Sequence, residues 1–138
     1  MEADSGQTII RKMLTNPPPA LPLSEAESIA AALYGISGEA RLLVSERDQN
    51  FRLDAVDGNR YVLKISNAAE QLQVVDFQNR ALKHIETRDP SLPLPRIIPN
   101  TEGQLHCLTD RAGKSHFVRV FSWLQGAALS DSATDPGL

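Results

Sequence analysis

One basic side chain stands in the middle of an apolar run with the composition of a β-strand. The run is NRYVLKIS, residues 59–66, and the basic residue is Lys64. Successive strand side chains point to opposite faces, so Lys64 shares a face with Val62 and is opposed to Leu63 and Ile65. An ammonium group is a compact positive charge that can take part in a functional site by contacting a negatively charged group. Taken alone, the pattern favours an edge-strand lysine that reaches water, and its context must decide between the two interpretations.

The histidines and the cysteine, which could bind a metal ion, lack the number and spacing that a metal site requires. His84, His106 and His116 do not have the spacing of metal ligands. Cys107 is the only cysteine, which excludes an internal disulfide and a cysteine-based metal site. The DPG triplet at residues 135–137 is interpreted as a turn. We therefore predict no metal site in this chain.

Length, composition and charge limit the class of protein. The chain has 138 residues, 41% of them hydrophobic, which suits one domain with a true core. The net charge is −3 with both signs interspersed, so we expect no nucleic-acid partner. No segment approaches the roughly 18 apolar residues of a membrane span, and the N-terminus does not have the pattern of a signal peptide. We expect a cytoplasmic protein without a membrane partner.

The first half of the chain predicts a helix followed by three strands. Residues 1–22, which include a proline run, are predicted to be a flexible lead-in outside the core. A capping-box spacing at residues 24–27 predicts a helix start, Ile29, Ala30 and Leu33 form its apolar stripe, and Gly35 ends it. Strands are predicted at residues 41–44, 51–56 and 60–65, the last two joined by the Asp-Gly-Asn turn at 57–59.

The second half predicts a helix and two more strands. Val74, Gln78, Leu82 and Ile85 share one helical face that should lie on the sheet, and the helix should end at about residues 84–86. The proline-rich segment 89–95 is a rigid connection. Strands are predicted at residues 104–109 and 116–121, joined by a turn at 111–114. We place one domain at residues 23–126, and the small, polar residues 127–138 are interpreted as a linker towards an absent C-terminal lobe.

This order of elements, with a lysine in the third strand, is the plan of a kinase-type ATP-binding lobe. The predicted class is α+β: a protein-kinase-like N-terminal lobe with a five-stranded antiparallel sheet, one helix after the third strand and an extra N-terminal helix. Residues 45–53 and 60–65 resemble the N-terminal lobe of the aminoglycoside phosphotransferase and choline kinase-like family. Within this family, the sequence of these segments is most similar to the hydroxylysine kinase-like branch and to the kinase-like module fused to some class III aminotransferases.

The resemblance implies a nucleotide site around Lys64. Lys64 would contact the α- and β-phosphates of ATP. Asp48, Gln49 and Asn50 end the loop that would cover the nucleotide, although Arg47 stands near a position where the family commonly has glycine. Gln78 stands where the family usually has the glutamate that orients the lysine, and a neutral amide cannot supply that charge. A helix residue at the core margin is the alternative for Gln78.

The resemblance also places the base. Ser122, Trp123 and Leu124 would form the hinge that contacts adenine, with Val62 and Leu124 packed on its two faces. Core packing is the alternative for Trp123. The family's His-x-Asp catalytic loop is not found in this sequence, so we predict no catalytic residue here. The magnesium that accompanies ATP would be held by the absent lobe, which would also bind the small-molecule acceptor.

We therefore expect a nucleotide-binding lobe, inactive by itself, of a phosphotransferase acting on a hydroxyl of an amine or amino-alcohol. With its lobe interface exposed, it is expected to self-associate. Three alternatives stay open: a non-catalytic module of a class III aminotransferase, whose cofactor would be pyridoxal phosphate; an interaction or regulatory domain; and an unrelated α+β domain.

Overall fold

The computed structural model describes residues 17–124 and shows two helices and one antiparallel sheet of six strands. In chain order the elements are α1 (Leu23–Tyr34), β1 (Gly38–Leu43), β2 (Gln49–Ala55), β3 (Arg60–Ile65), α2 (Leu72–Arg88), β4 (Ile97–Ile98), β5 (Cys107–Arg111) and β6 (Lys114–Ser122). The predicted α+β class, the helix after the third strand and the N-terminal helix are confirmed. The predicted linker at residues 127–138 and the turn at 135–137 lie outside the described residues.

The sheet has one short strand more than predicted. The strand order is β1-β2-β3-β6, and both β4 and β5 pair with the far edge of β6. β5 pairs with residues 114–118 of β6, and β4 pairs with Val120 and Phe121. β4 consists of only two residues and follows a proline-rich segment, so its sequence has no strand pattern. It is a strand only because it pairs with β6. β3 is an interior strand, between β2 and β6.

One face of the sheet and helix α1 form the hydrophobic core. Alternate residues of β2, β3 and β6 point into it, as the period of two requires. The core residues are Leu21, Ala26, Ile29, Ala30, Tyr34, Ala40, Phe51, Leu53, Leu63, Ile65, Val118 and Val120, with Leu33 packed against them. The predicted apolar stripe of α1 is confirmed. The opposite face carries polar side chains, the apolar residues Val62 and Phe121, and helix α2.

Helix α1 ends as predicted but begins differently. Gly35 adopts the left-handed conformation at the C-terminus, with φ of 67°. The capping box is wrong: the helix starts at Leu23 after Pro22, and no side chain caps it. Glu27 instead accepts a hydrogen bond of 2.8 Å from the Ala40 amide in β1, so its carboxylate ties the helix to the sheet.

The predicted lead-in belongs partly to the core. Leu21 is only 4% exposed, and its backbone N–H and C=O both pair with the side-chain amide of Gln49, at 2.8 and 3.1 Å. The expectation of a segment outside the core is therefore wrong at Leu21, because an apolar side chain with a paired backbone is buried without penalty. Residues 1–16 lie outside the described part of the chain.

Helix α2 is rotated from the predicted face. Its buried residues are Val75 and Asn79, whereas Val74 is 39% exposed and Gln78 is also exposed. The hydrophobic pattern of the sequence could not reveal this rotation, because Asn79, one of the two buried residues of the helix, is polar. Within residues 17–124, no helix is both long and apolar enough to cross a membrane.

Gly38 gives a first testable prediction, because β1 and β2 approach closely there. A Cβ at this position would lie 2.7 Å from Ala55 Cα and would also collide with the Asp54 carbonyl oxygen. Gly38→Ala should destabilise the fold by about 1–3 kcal/mol, since backbone atoms must move. Chemical denaturation measures the change, and Ser37→Ala at the exposed neighbouring position is the control. An unchanged free energy of unfolding for Gly38→Ala would show that the strands separate easily at this edge.

Candidate functional site

Lys64 lies on an interior strand, on the face away from the core. Its neighbours in register are Asn50 of β2 and Arg119 of β6. The edge-strand interpretation is therefore wrong, because both edges of β3 are paired. The Lys64 side chain is 28% exposed, so its ammonium is accessible while its stem packs on the sheet. A partly buried cation at the centre of a sheet face is suited to bind an anion.

Two rows of side chains cross this face. The first row, in register, is Asn50, Lys64 and Arg119. The second row is Arg52, Val62 and Phe121. Together the rows put three cations and one amide beside an apolar surface, which is the composition that a nucleotide needs for its phosphates and its base.

A carboxylate from the loop between β1 and β2 holds the lysine. Lys64 Nζ lies 3.0 Å from Asp48 Oδ2, and the other carboxylate oxygen accepts a 2.8 Å hydrogen bond from the Asn67 amide. The Asn67 side chain donates to the Arg47 carbonyl oxygen at 3.1 Å. Asn67, two residues after the end of β3, thus holds the loop at the position of the lysine.

A second cation ties helix α2 to the same face. Arg119 is 3% exposed, and its Nη1 donates to Gln78 Oε1 at 3.0 Å and to Asn79 Oδ1 at 3.3 Å. Burial lowers the pKa of Arg119, and the nearby carboxylates of Asp48 and Glu70 partly oppose that shift. Gln78, which stands at the position of the family's lysine-orienting glutamate, contacts Arg119.

The other loop residues differ in what their side chains do. The amide of Gln49 is engaged by the Leu21 backbone. Asn50 Oδ1 is buried without a hydrogen-bond partner beside Lys64. A buried acceptor without a partner is costly, and because solvent does not reach this oxygen, a donor meets it only if the neighbouring side chains move.

The predicted hinge begins at Ser122, the last residue of β6. The Ser122 amide donates to the Arg96 carbonyl at 2.8 Å, and the Trp123 amide donates to the Arg60 carbonyl at 3.2 Å. Both amides are therefore already used in holding the chain. The Trp123 ring lies 5.8 Å from the Arg52 guanidinium carbon, which places it at the end of the face that carries Val62. Leu124 is half-buried and is the last described residue.

Sequence reasoning missed Arg119 and Arg52. Arg119 carries the same signal as Lys64, a single basic residue in an apolar strand, HFVRVF at residues 116–121. That signal could have found it. Arg52 lies between Phe51 and Leu53 in the sequence. The alternation of strand side chains therefore places it on the face opposite to these two, which is the face of Lys64. Its contact with Trp123 depends on tertiary structure alone.

Two histidines and one tyrosine make hydrogen bonds within the fold. His116 Nδ1 lies 2.9 Å from the Ser66 carbonyl, and His106 Nδ1 lies 3.2 Å from Asn79 Nδ2. Burial, and then the neighbouring Cys107, raises the pKa of Tyr34, whose hydroxyl donates to the Val118 carbonyl at 3.2 Å. Among residues 17–124 there is no group of three His, Cys, Asp or Glu side chains placed to hold a metal ion.

Comparison with known proteins gives one family and one fold. Residues 39–137 match the phosphotransferase enzyme family. A hydroxylysine kinase of Danio rerio is 28% identical over 125 residues, which are 86% of this chain and 35% of that protein. The chain therefore spans about a third of the length of this relative.

Solved kinase structures share the fold. A microcompartment-associated aminopropanol kinase matches with a TM-score of 0.64 at 18% identity, over 76% of this chain and 32% of that one. An amicoumacin kinase, solved with AMP-PNP and calcium, matches with a TM-score of 0.58 at 14% identity, over 88% of this chain and 32% of that one. A spectinomycin phosphotransferase, solved with ADP, matches with a TM-score of 0.56 at 12% identity, over 78% and 31%.

Proposed function

Because this chain belongs to the phosphotransferase enzyme family, we propose that it forms the ATP-binding lobe of a small-molecule kinase. We place the lobe at residues 23–126 and a linker towards a C-terminal catalytic lobe at residues 127–138. The one observation that supports this proposal most strongly is Lys64, an accessible cation on an interior strand, in register with Asn50 and Arg119.

The face can bind the two ends of a nucleotide differently. Lys64, whose side chain is 28% exposed, supplies a compact charge for the phosphates. Val62 and Phe121 give the base an apolar surface, with Trp123 and Leu124 at the hinge. Because the Ser122 and Trp123 amides are engaged, adenine would be recognised by the remaining backbone groups of the hinge.

The reaction we propose is transfer of the γ-phosphoryl group of ATP to a hydroxyl of an amine or amino-alcohol. The names of two proteins similar to this chain, a hydroxylysine kinase and an aminopropanol kinase, support that acceptor class. This lobe would bind and orient the nucleotide. The catalytic base and the magnesium ligands would come from the second lobe, since phosphoryl transfer is mostly positioning and charge stabilisation. The proteins compared above are kinases or phosphotransferases by name, and none supports the aminotransferase alternative.

The test is a titration with Mg-ATP followed by the fluorescence of Trp123, the only tryptophan. We expect a saturable change in the wild type and affinity at least about tenfold weaker in Lys64→Ala, because a charge-assisted contact with phosphate is lost. Lys83→Ala removes the same side chain from helix α2, where Lys83 contacts Glu86, and is the control.

Two outcomes would contradict the proposal. Equal affinities of the wild type and Lys64→Ala would show that the nucleotide binds elsewhere. The absence of binding at millimolar nucleotide would favour an interaction or regulatory domain in which Lys64 is structural.

A further inference from the structure

The lysine in this site has a carboxylate partner that does not come from a helix. Gln78 of α2 cannot provide charge and is bonded to Arg119. The contact of 3.0 Å between Lys64 Nζ and Asp48 Oδ2 comes from the loop before β2. The Asp48 side chain is 14% exposed, so water screens this pair less than it screens a surface ion pair.

We propose that Asp48 is the positioning residue for Lys64 and that it keeps the ammonium at the point where the nucleotide phosphates bind. This inference rests on the proposed nucleotide site. Asp48 can do this because it is itself held: its second oxygen accepts from the Asn67 amide at 2.8 Å. Asn67 is 4% exposed and bonds the Arg47 carbonyl, so Asp48 cannot move without the loop.

This arrangement couples the loop to the lysine. In it, one carboxylate joins the loop, the end of β3 and the ammonium. Arg119 meanwhile binds α2 through two neutral amides. Arg119 and Lys64 therefore have different roles. Arg119 holds helix α2 on the sheet, and Lys64, oriented by the loop that would cover the nucleotide, is the cation for the phosphates.

The opposing interpretation is that Asp48 competes with phosphate for Lys64. The two interpretations predict opposite effects of Asp48→Asn on nucleotide affinity. If Asp48 orients the lysine, the variant binds Mg-ATP more weakly. If Asp48 competes, the variant binds more tightly, because a negative charge near the phosphates is removed.

Glu46→Gln is the matched control, since it removes the same charge from an exposed position in the same loop. With one negative charge fewer, it should bind Mg-ATP no more weakly than the wild type. For Asp48→Asn we expect affinity about tenfold weaker, the loss typical of one charge-assisted contact. Equal or tighter binding by Asp48→Asn overturns the inference while the nucleotide site stands.

A second measurement tests the orientation without nucleotide. The protein is treated briefly with an amine-reactive reagent, and the modification of Lys64 is quantified by mass spectrometry. We expect labelling of Lys64 to rise several-fold in Asp48→Asn, because the freed side chain turns towards solvent, and to stay unchanged in Glu46→Gln. Unchanged labelling in Asp48→Asn overturns the inference. If labelling rises but the wild type binds no Mg-ATP, the proposed function fails and the Asp48 contact remains a structural ion pair.

Discussion

Arg119→Ala is expected to release helix α2 from the sheet and to lower the free energy of unfolding by about 2–3 kcal/mol. The helix has few other attachments: only Val75 and Asn79 are buried, and Leu72 and Phe77 are 53% and 73% exposed. Removing the guanidinium leaves Asn79 Oδ1 buried without its donor, which is the larger part of the loss. Amide hydrogen exchange should show α2 losing more protection than the central strands.

Two variants control for charge and for helix propensity. Arg119→Lys keeps the charge but loses the planar donor group, and it should fall between the wild type and Arg119→Ala. Arg80→Ala removes an arginine from the exposed side of α2, where it pairs with Asp76, and should change stability by no more than about 0.5 kcal/mol. Full protection of α2 in Arg119→Ala would mean that Val75 and the connection after the helix hold it sufficiently.

Phe51→Ala is expected to have the largest effect on stability, about 3–5 kcal/mol. Phe51 is 0% exposed, at the middle of β2, between Leu42 and Leu63 in register. A domain of this size is stable by only about 5–15 kcal/mol, so the variant should lose a large part of its folded population on mild heating. Thermal unfolding followed by circular dichroism measures the shift in Tm.

Phe77→Ala is the matched control, because it deletes the same side chain from a position that is 73% exposed. Its effect should stay within about 0.5 kcal/mol. If the two variants were equally stable, the core would not be centred on β2. The burial of Phe51 and the outward position of Lys64 follow from the same alternation of side chains in β2 and β3. A Phe51→Ala protein that keeps its Tm would therefore also remove the basis for placing Lys64 on the outer face of the sheet.

The candidate site was predictable where it depends on the strand period. Lys64 and Val62 were placed on one face and Leu63 on the other from the sequence NRYVLKIS, and the structure agrees. The same rule applied to HFVRVF would have put Arg119 on that face. No family motif includes Arg119, although its local pattern is as clear as that of Lys64.

The partners of these cations were not predictable. The sequence leaves the partner of Lys64 open, with Gln78 at the position of the family's glutamate, whereas the structure pairs Lys64 with Asp48 and Gln78 with Arg119. Helix α2 was assigned a face from its apolar residues, yet its inward position at Asn79 is polar. A helix whose buried face includes an amide gives a weak periodic signal, and a rotation of one residue, about 100°, then decides which side chain reaches the sheet.

The sequence by itself determined the order of the helices and of every strand except β4, the turn at residues 57–59, the end of α1 at Gly35 and the two faces of β3. These features depend on residues within a few positions of one another, whose conformational preferences act locally. Tertiary structure alone decided the interior position of β3, the short strand β4, the burial of Leu21 and the ion pair of Lys64. Those contacts join segments distant in sequence. They form only when strand register and helix rotation have been settled by packing of the whole domain.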